Sequence, residues 1–239
     1  MPKPTLNRRD LLGIERAVKR FAENQSHFQA FAQALMAYFV NHAELARYIH
    51  FISCRIKDPG RLREKLVRKA LAAKHELRDE IIDESNLFDR VPDLAGIRII
   101  HLHTEQMREI HPLILAVLAE QQLRLAEKPT ANCWDVEYER FFQELGMRTR
   151  SSDSMYTTVH YVIVANQRTR IACELQVRTL MDEVWGEVSH RVNYPGESPS
   201  ATCRDQLKIL ARLTSACTRL VDSIFKAHHE AVRRASENG

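Results

Sequence analysis

Three stretches rich in β-branched residues limit what this chain can fold into: DLAGIRIIHL (Asp93–Leu102), YTTVHYVIVA (Tyr156–Ala165) and RTRIACELQV (Arg168–Val177). Branched and aromatic side chains suit a pleated, half-buried surface. Nearly everything around these runs is patterned for helix instead. Leu11, Leu12, Ile14, Val18 and Phe21 stand at helical spacing over Arg9–Ala22, and Ser26 reads as the cap of a second helix carrying Phe28, Phe31, Leu35 and Phe39. Asp58-Pro59-Gly60 reads as a turn launching a helix over Arg61–Asp79. Met107, Ile110, Ile114 and Val117 share a face of another, whose regular part Pro112 is expected to delay. Gln121–Met147 reads as loop and short helix, Asn166-Gln167 as a hairpin turn, and Leu180–Arg191 as helix. Leu207, Leu210, Leu213, Cys217, Leu220, Ile224 and His228 fall nearly in heptad register, which predicts a long amphipathic helix, with packing on the N-terminal helices the plainer reading and a coiled-coil dimer the alternative. The expected class is α/β (α+β), a mixed, partly antiparallel sheet flanked by helices.

Composition narrows the classes further. The chain is 44% hydrophobic and 28% charged, as in ordinary globular proteins, and none of its apolar runs reaches the roughly 18 residues of a membrane span. The opening MPKPTLNRRD has no apolar core for a secretion signal, so a cytoplasmic protein with no membrane partner is expected. Five scattered cysteines without a CxxC pair suggest neither a disulfide framework nor a zinc site. Walker, HExxH and GxSxG signatures are missing from the sequence.

The polar residues of the strands ask for a reason. In CELQVRT, alternation puts Cys173, Leu175 and Val177 on one face and Glu174, Gln176 and Arg178 on the other. Arg55 and Lys57 share a side of an extended segment, and Arg61, Lys65 and Arg68 follow as a single stripe on the next helix. A solvated face is the plainer reading of such a stripe, and a polyphosphate site is the sharper one, because arginine forks and lysine point charges both meet phosphate oxygens. Asp93 opens a strand although aspartate is depleted there, so it is either a turn residue or, with Glu174, half of a carboxylate pair able to hold Mg²⁺ beside substrate phosphates. Salt bridges from Asp93 to Arg55 and from Glu174 to Arg178 would account for both without a metal. Tyr156 and His160 stand four residues apart on one face, where a ring either stacks on a base or fills core.

Taken in order, RIKDPGRLREKLVRK, DLAGIRII, YTTVHY and ELQVRTLMDEVWGEVSH resemble the RelA/SpoT alarmone synthetase domain, in its stand-alone small form. The resemblance implies a nucleotidyltransferase-like, mixed five-stranded sheet over residues 51–195, with an N-terminal helical extension (1–50) and a C-terminal amphipathic helix (196–239). It implies transfer of pyrophosphate from ATP to the 3′-hydroxyl of GDP or GTP, giving (p)ppGpp and AMP with Mg²⁺. Arg55 and Arg98 would sandwich adenine, and Lys57, Lys65 and Arg68 would bind the ATP phosphates. Asp93 would hold the metal, and Glu174 would share it or take the hydroxyl proton. Tyr156 would stack on the acceptor base with His160 nearby, and Gln176 and Arg178 would support the site.

The chain departs from the family pattern around Tyr156. Many members carry a lysine and a glycine before the tyrosine, where SSDSMYTTVH has Ser154 and Met155, and Arg148 and Arg150 just upstream offer substitutes. Relatives with divergent loops use adenosine nucleotides or a tRNA 3′ end as growth-inhibiting toxins, and a silent nucleotide-binding module is a third reading. The sequence has no His-Asp dipeptide, the mark of the family's hydrolase, so no alarmone hydrolysis is expected. Stand-alone members are often oligomers, and the helical extensions offer a surface for one.

Overall fold

The first helix, α1 (Arg8–Asn41), is capped by Asn7, whose side chain accepts from the Asp10 N–H while Asp10 accepts from the Asn7 N–H. It runs unbroken through exposed Ser26, so the two expected helices are one. A serine costs a helix interior only a few tenths of a kcal/mol relative to alanine, roughly. The stripe Ile14, Ala17, Phe21, Phe28, Ala32, Leu35 and Phe39 is fully buried across the supposed break. Phe21 and Phe28 meet edge to face at 5.6 Å. The computed structural model describes residues 5–75, 82–152, 156–165, 170–193 and 200–237.

After α1 come α2 (Ala43–Ala46), β1 (Phe51–Ile56), α3 (Pro59–His75), α4 (Leu87–Arg90), β2 (Ala95–His101) and α5 (Met107–Glu120). Then follow β3 (Arg124–Leu125), β4 (Thr130–Cys133), α6 (Val136–Glu144), β5 (Arg148–Ser151), β6 (Thr158–Val164), β7 (Ala172–Thr179), α7 (Leu180–Asn193) and α8 (Ala201–Glu237). The sheet runs β1-β2-β7-β6-β4-β5, with β3 on β6. It is mixed: β2 and β7 pair in parallel, as do β4 and β5, and the rest are antiparallel. The class is the expected one, and the short strands β3 and β5 extend the sheet beyond five. Gln121–Met147, expected as loop and short helix, holds α6 but also β3 and β4, whose two to four residues are too few to show alternation.

One face of the sheet is core. Ile97, Ile99, Val159, Tyr161, Leu175 and Val177 are all essentially inaccessible there. α1, α5 and α6 cover this side: α1 packs on β1, β2 and β7, the Tyr161 hydroxyl shares a hydrogen bond of 2.9 Å with His111 Nδ1 of α5, and Thr149 bonds Gln143 and Glu139 of α6. α5 runs straight through Pro112 instead of starting after it, since its buried Ile110, Ile114 and Val117 outweigh the one backbone bond a proline removes. α3 leans Leu62, Leu66 and Ala70 on α1, and Arg63–Glu15 (2.6 Å) and Lys74–Asp10 ion pairs pin the two helices together.

Two further differences concern the ends of elements. Asp93 lies in a 3₁₀ turn (Pro92–Leu94) before β2, not in the strand, and Tyr156 precedes β6 rather than opening it. The described part of the third helix ends at His75, and Asn166, Gln167 and Pro195 fall outside the described residues. α8 packs on α7 and on the turn Thr104–Gln106 instead of on the N-terminal helices. It buries Leu207, Ala211, Thr214 and Thr218 and leaves Leu213, Leu220 and Ile224 exposed. The heptad run spotted in the sequence is thus mostly the outer face, because small and hydroxylated residues can approach α7 more closely than leucines. Among the described residues no helix is long and apolar enough to cross a membrane.

Leu175 anchors the central strand from the core side. Leu175→Ala should lower the unfolding free energy by about 2–5 kcal/mol in urea titrations. Leu220→Ala, on the exposed face of α8, should change it by less than about 0.5 kcal/mol.

Candidate active site

The opposite face of the sheet carries the polar residues. Direct pairing builds one row across it: Ser53, Arg98, Gln176, His160, Thr130 and Arg148. The adjoining row holds Arg55, Gly96, Glu174 and Val162. Residues paired directly in a ladder share a face, so the polar half of CELQVRT, apart from buried Arg178, becomes an open floor. Arg150 lies two residues beyond Arg148 on the same side, away from α6.

At the β1 end of this floor is a cleft of about 290 Å³ lined by Arg55, Lys57, Arg61, Lys65, Arg68 and Asp93. Asp58 caps α3 by accepting from the Arg61 N–H at 2.9 Å, and burial of Leu62, Leu66 and Ala70 on the other side turns the basic stripe toward the cleft. Glu64 and His190 also line it. Asp93 accepts from Lys57 Nζ at 2.5 Å and Lys65 Nζ at 2.7 Å. Burial alone would raise its carboxyl, but the Lys65 charge and the hydrogen bonds from both lysines prevail and hold it at about 2. Burial, partly offset by Asp93, lowers Lys57, and burial together with the Lys65 charge lowers Lys69.

Glu174 accepts from Gln176 Nε2 at 2.8 Å, and its other oxygen meets His160 Nδ1 at 2.9 Å. Burial pushes its carboxyl up, the His160 contact pulls it down further, and the result lies below the ordinary value. Neither simple salt bridge considered for these acids is present. Asp93 pairs with lysines rather than Arg55, and Arg178 pairs with Glu183 rather than Glu174.

The remaining residues gather under α7. Thr179 caps this helix, accepting from the Asp182 N–H at 3.1 Å and donating to the Asp182 carboxylate at 2.6 Å. Burial raises that carboxyl to about 6. Arg98 is held by Glu183 at 2.6 Å and Glu187 at 3.0 Å. Arg178 pairs with Glu183 and donates to the Tyr156 hydroxyl, while the Tyr156 ring stacks on Trp185 at 5.4 Å. Gly186 makes room for this arrangement, since a Cβ there would stand 3.0 Å from an Arg178 nitrogen. Glu183, Glu187, His190 and Gly186 were not singled out as site residues in the sequence. The i, i+4 acids directly after ELQVRT were the available signal.

A divalent ion would find a suitable donor set. Asp93 and Glu174 line one small cleft together with Arg55, Gly96, Arg98 and Gln176. Among the described residues no group of three or more His, Cys, Asp or Glu forms a cage. Mg²⁺ typically takes one or two carboxylates and completes its shell with water and substrate phosphates, and the two acids beside a basic cleft fit that habit.

Residues 54–198 match the family model described as a region found in RelA / SpoT proteins, and the chain belongs to that family. No curated protein matches the sequence. Among solved structures, the fold resembles small alarmone synthetase 1 from Bacillus subtilis (TM-score 0.59, 17% identity, 90% of this chain and 97% of that one). The form of that enzyme bound to its product pppGpp aligns with TM-score 0.64 at 16% identity, over 89% and 99% of the two chains. A GTP pyrophosphokinase family protein from Streptococcus pneumoniae gives 0.57 at 18% identity, over 95% and 97%.

The Asp93 ion pairs make a pH prediction. A carboxyl depressed in the folded state stabilises it above the unfolded pKa, and that contribution is lost as pH falls through the folded value. Between about pH 4 and pH 2 the protein should lose about 2 kcal/mol that Asp93→Asn does not lose, read from urea unfolding at each pH.

Proposed function

We propose that the protein is a nucleotide pyrophosphokinase of the (p)ppGpp synthetase type, with ATP as donor and GDP or GTP as acceptor. The observation that carries this reading is a carboxylate, Glu174, standing on the central strand between a basic cleft and an open polar floor. Arg55, Lys57, Lys65 and Arg68 fit the donor side, as the family resemblance implies. Lys57 and Lys65 now neutralise Asp93, and an incoming triphosphate would draw both onto its oxygens. Arg98 and Arg55 are suited to adenine, Tyr156 to the acceptor base, and His160, Gln176 and Arg178 to holding the acceptor side.

The reaction needs little covalent chemistry from the protein. The acceptor 3′-oxygen bonds to the β-phosphorus of ATP, and the bond from that phosphorus to the α–β bridging oxygen breaks. AMP leaves with the electron pair. Glu174, kept anionic by His160 and Gln176, takes the hydroxyl proton. Lys57, Lys65 and Arg68 neutralise the phosphates, and such positioning with charge compensation supplies most of the catalysis in phosphoryl transfer. When bound, Mg²⁺ would be held by Asp93, beside Glu174 acting as the base, and would neutralise charge on the phosphate oxygens.

Two variants separate chemistry from binding. Glu174→Gln should lower turnover by at least about 100-fold, the range of general acid–base effects, while calorimetry shows near-normal ATP affinity. Arg55→Ala should weaken ATP binding itself by about 10-fold or more. Equal turnover in the parent and Glu174→Gln would refute the role given to Glu174.

A further inference from the structure

Arg98 and Tyr156 are two of the groups suited to stacking on nucleotide bases, Arg98 opposite Arg55 for the donor and Tyr156 for the acceptor. Both trace back to a single carboxylate. Glu183, in the first turn of α7, binds Arg98 Nη1 at 2.6 Å through one oxygen and pairs with Arg178 through the other. Arg178 in turn donates to the Tyr156 hydroxyl, and Trp185 backs the Tyr156 ring. The Arg178 side chain is almost fully buried and that of Glu183 largely so, which marks a fixed bridge rather than a surface pair.

The chemistry suits platforms better than phosphate clamps. A guanidinium held at its edge by carboxylates keeps its flat faces for stacking, which is how arginine is used against aromatic rings. A tyrosine held by its hydroxyl and backed on one side by an indole likewise has its tilt fixed. We infer that Glu183 is a positioning residue shared by the two nucleotide subsites, setting Arg98 directly and Tyr156 through Arg178. This rests on the pyrophosphokinase reading of the site. Glu187 provides an internal control, because it touches Arg98, at 3.0 Å, and is not bonded to Arg178.

The test measures binding at each subsite separately, then kinetics. Calorimetry with α,β-methylene ATP and with GDP, on the full chain, should show Glu183→Gln weakening both by about 10-fold, the size expected for a lost charge-assisted hydrogen bond. Glu187→Gln should weaken the ATP analogue alone. In turnover, Glu183→Gln should raise KM for both substrates far more than it lowers kcat, and Glu183→Asp should recover part of both affinities. If Glu183→Gln does not fold, Glu183→Asp against Glu187→Gln gives the same contrast. Loss at only one subsite, or a fall in melting temperature with both affinities unchanged, would overturn the shared role. Failure of the unaltered protein to bind either ligand would instead overturn the pyrophosphokinase reading beneath it.

Discussion

The parallel pairing of β2 with β7 is the constraint on which the site depends. Its register sets Gly96 beside Glu174 and Arg98 beside Gln176, while Ile97 and Ile99 fall beside Leu175 and Val177. A slip of one residue would send Glu174 and Gln176 into the core and expose Leu175 and Val177, so burial of the apolar half enforces the placement of the polar half. The turn Pro92–Leu94 immediately before β2 then brings Asp93 to the same end of the sheet as Glu174. Stability and chemistry are fixed by the same few backbone pairings.

Charge organises the rest. The cations of β1 and α3 crowd the β1 end of the floor, and Asp93 keeps two of them compatible with burial. At the α7 end, acids face arginines instead: Glu183 and Glu187 pair with Arg98, and Glu183 also with Arg178. Arg148 and Arg150 extend the same face to the β5 edge of the sheet.

Much of this was legible in the sequence. Strict alternation in CELQVRT separated Glu174 and Gln176 from Leu175 and Val177 correctly, because a half-buried strand has only one way to satisfy that pattern. The basic stripe of α3 could be read because Leu62, Leu66 and Ala70 mark its opposite side. The short strands β3, β4 and β5 could not, since they are defined by tertiary pairing rather than by their own pattern. The continuity of α1 through Ser26 was hidden for a related reason: local capping preference lost to the burial of Phe21 and Phe28 together. The outward face of α8 misled because its leucines looked like core, whereas the surface that packs on α7 is made of Ala211, Thr214 and Thr218. Glu183 could not be picked out because its contact is with Arg98, eighty-five positions away in the chain.

The proposed reaction on this floor is transfer of pyrophosphate from ATP to a nucleotide 3′-hydroxyl. The most direct test incubates the purified protein with γ-labelled ATP and Mg²⁺, offers GDP, GTP, ATP alone or deacylated tRNA, and separates the products by thin-layer chromatography. The account predicts a labelled guanosine tetra- or pentaphosphate together with AMP. Label on tRNA or on an adenosine nucleotide would contradict the acceptor assignment, and absence of transfer to any acceptor by a protein that binds ATP would contradict the claim itself.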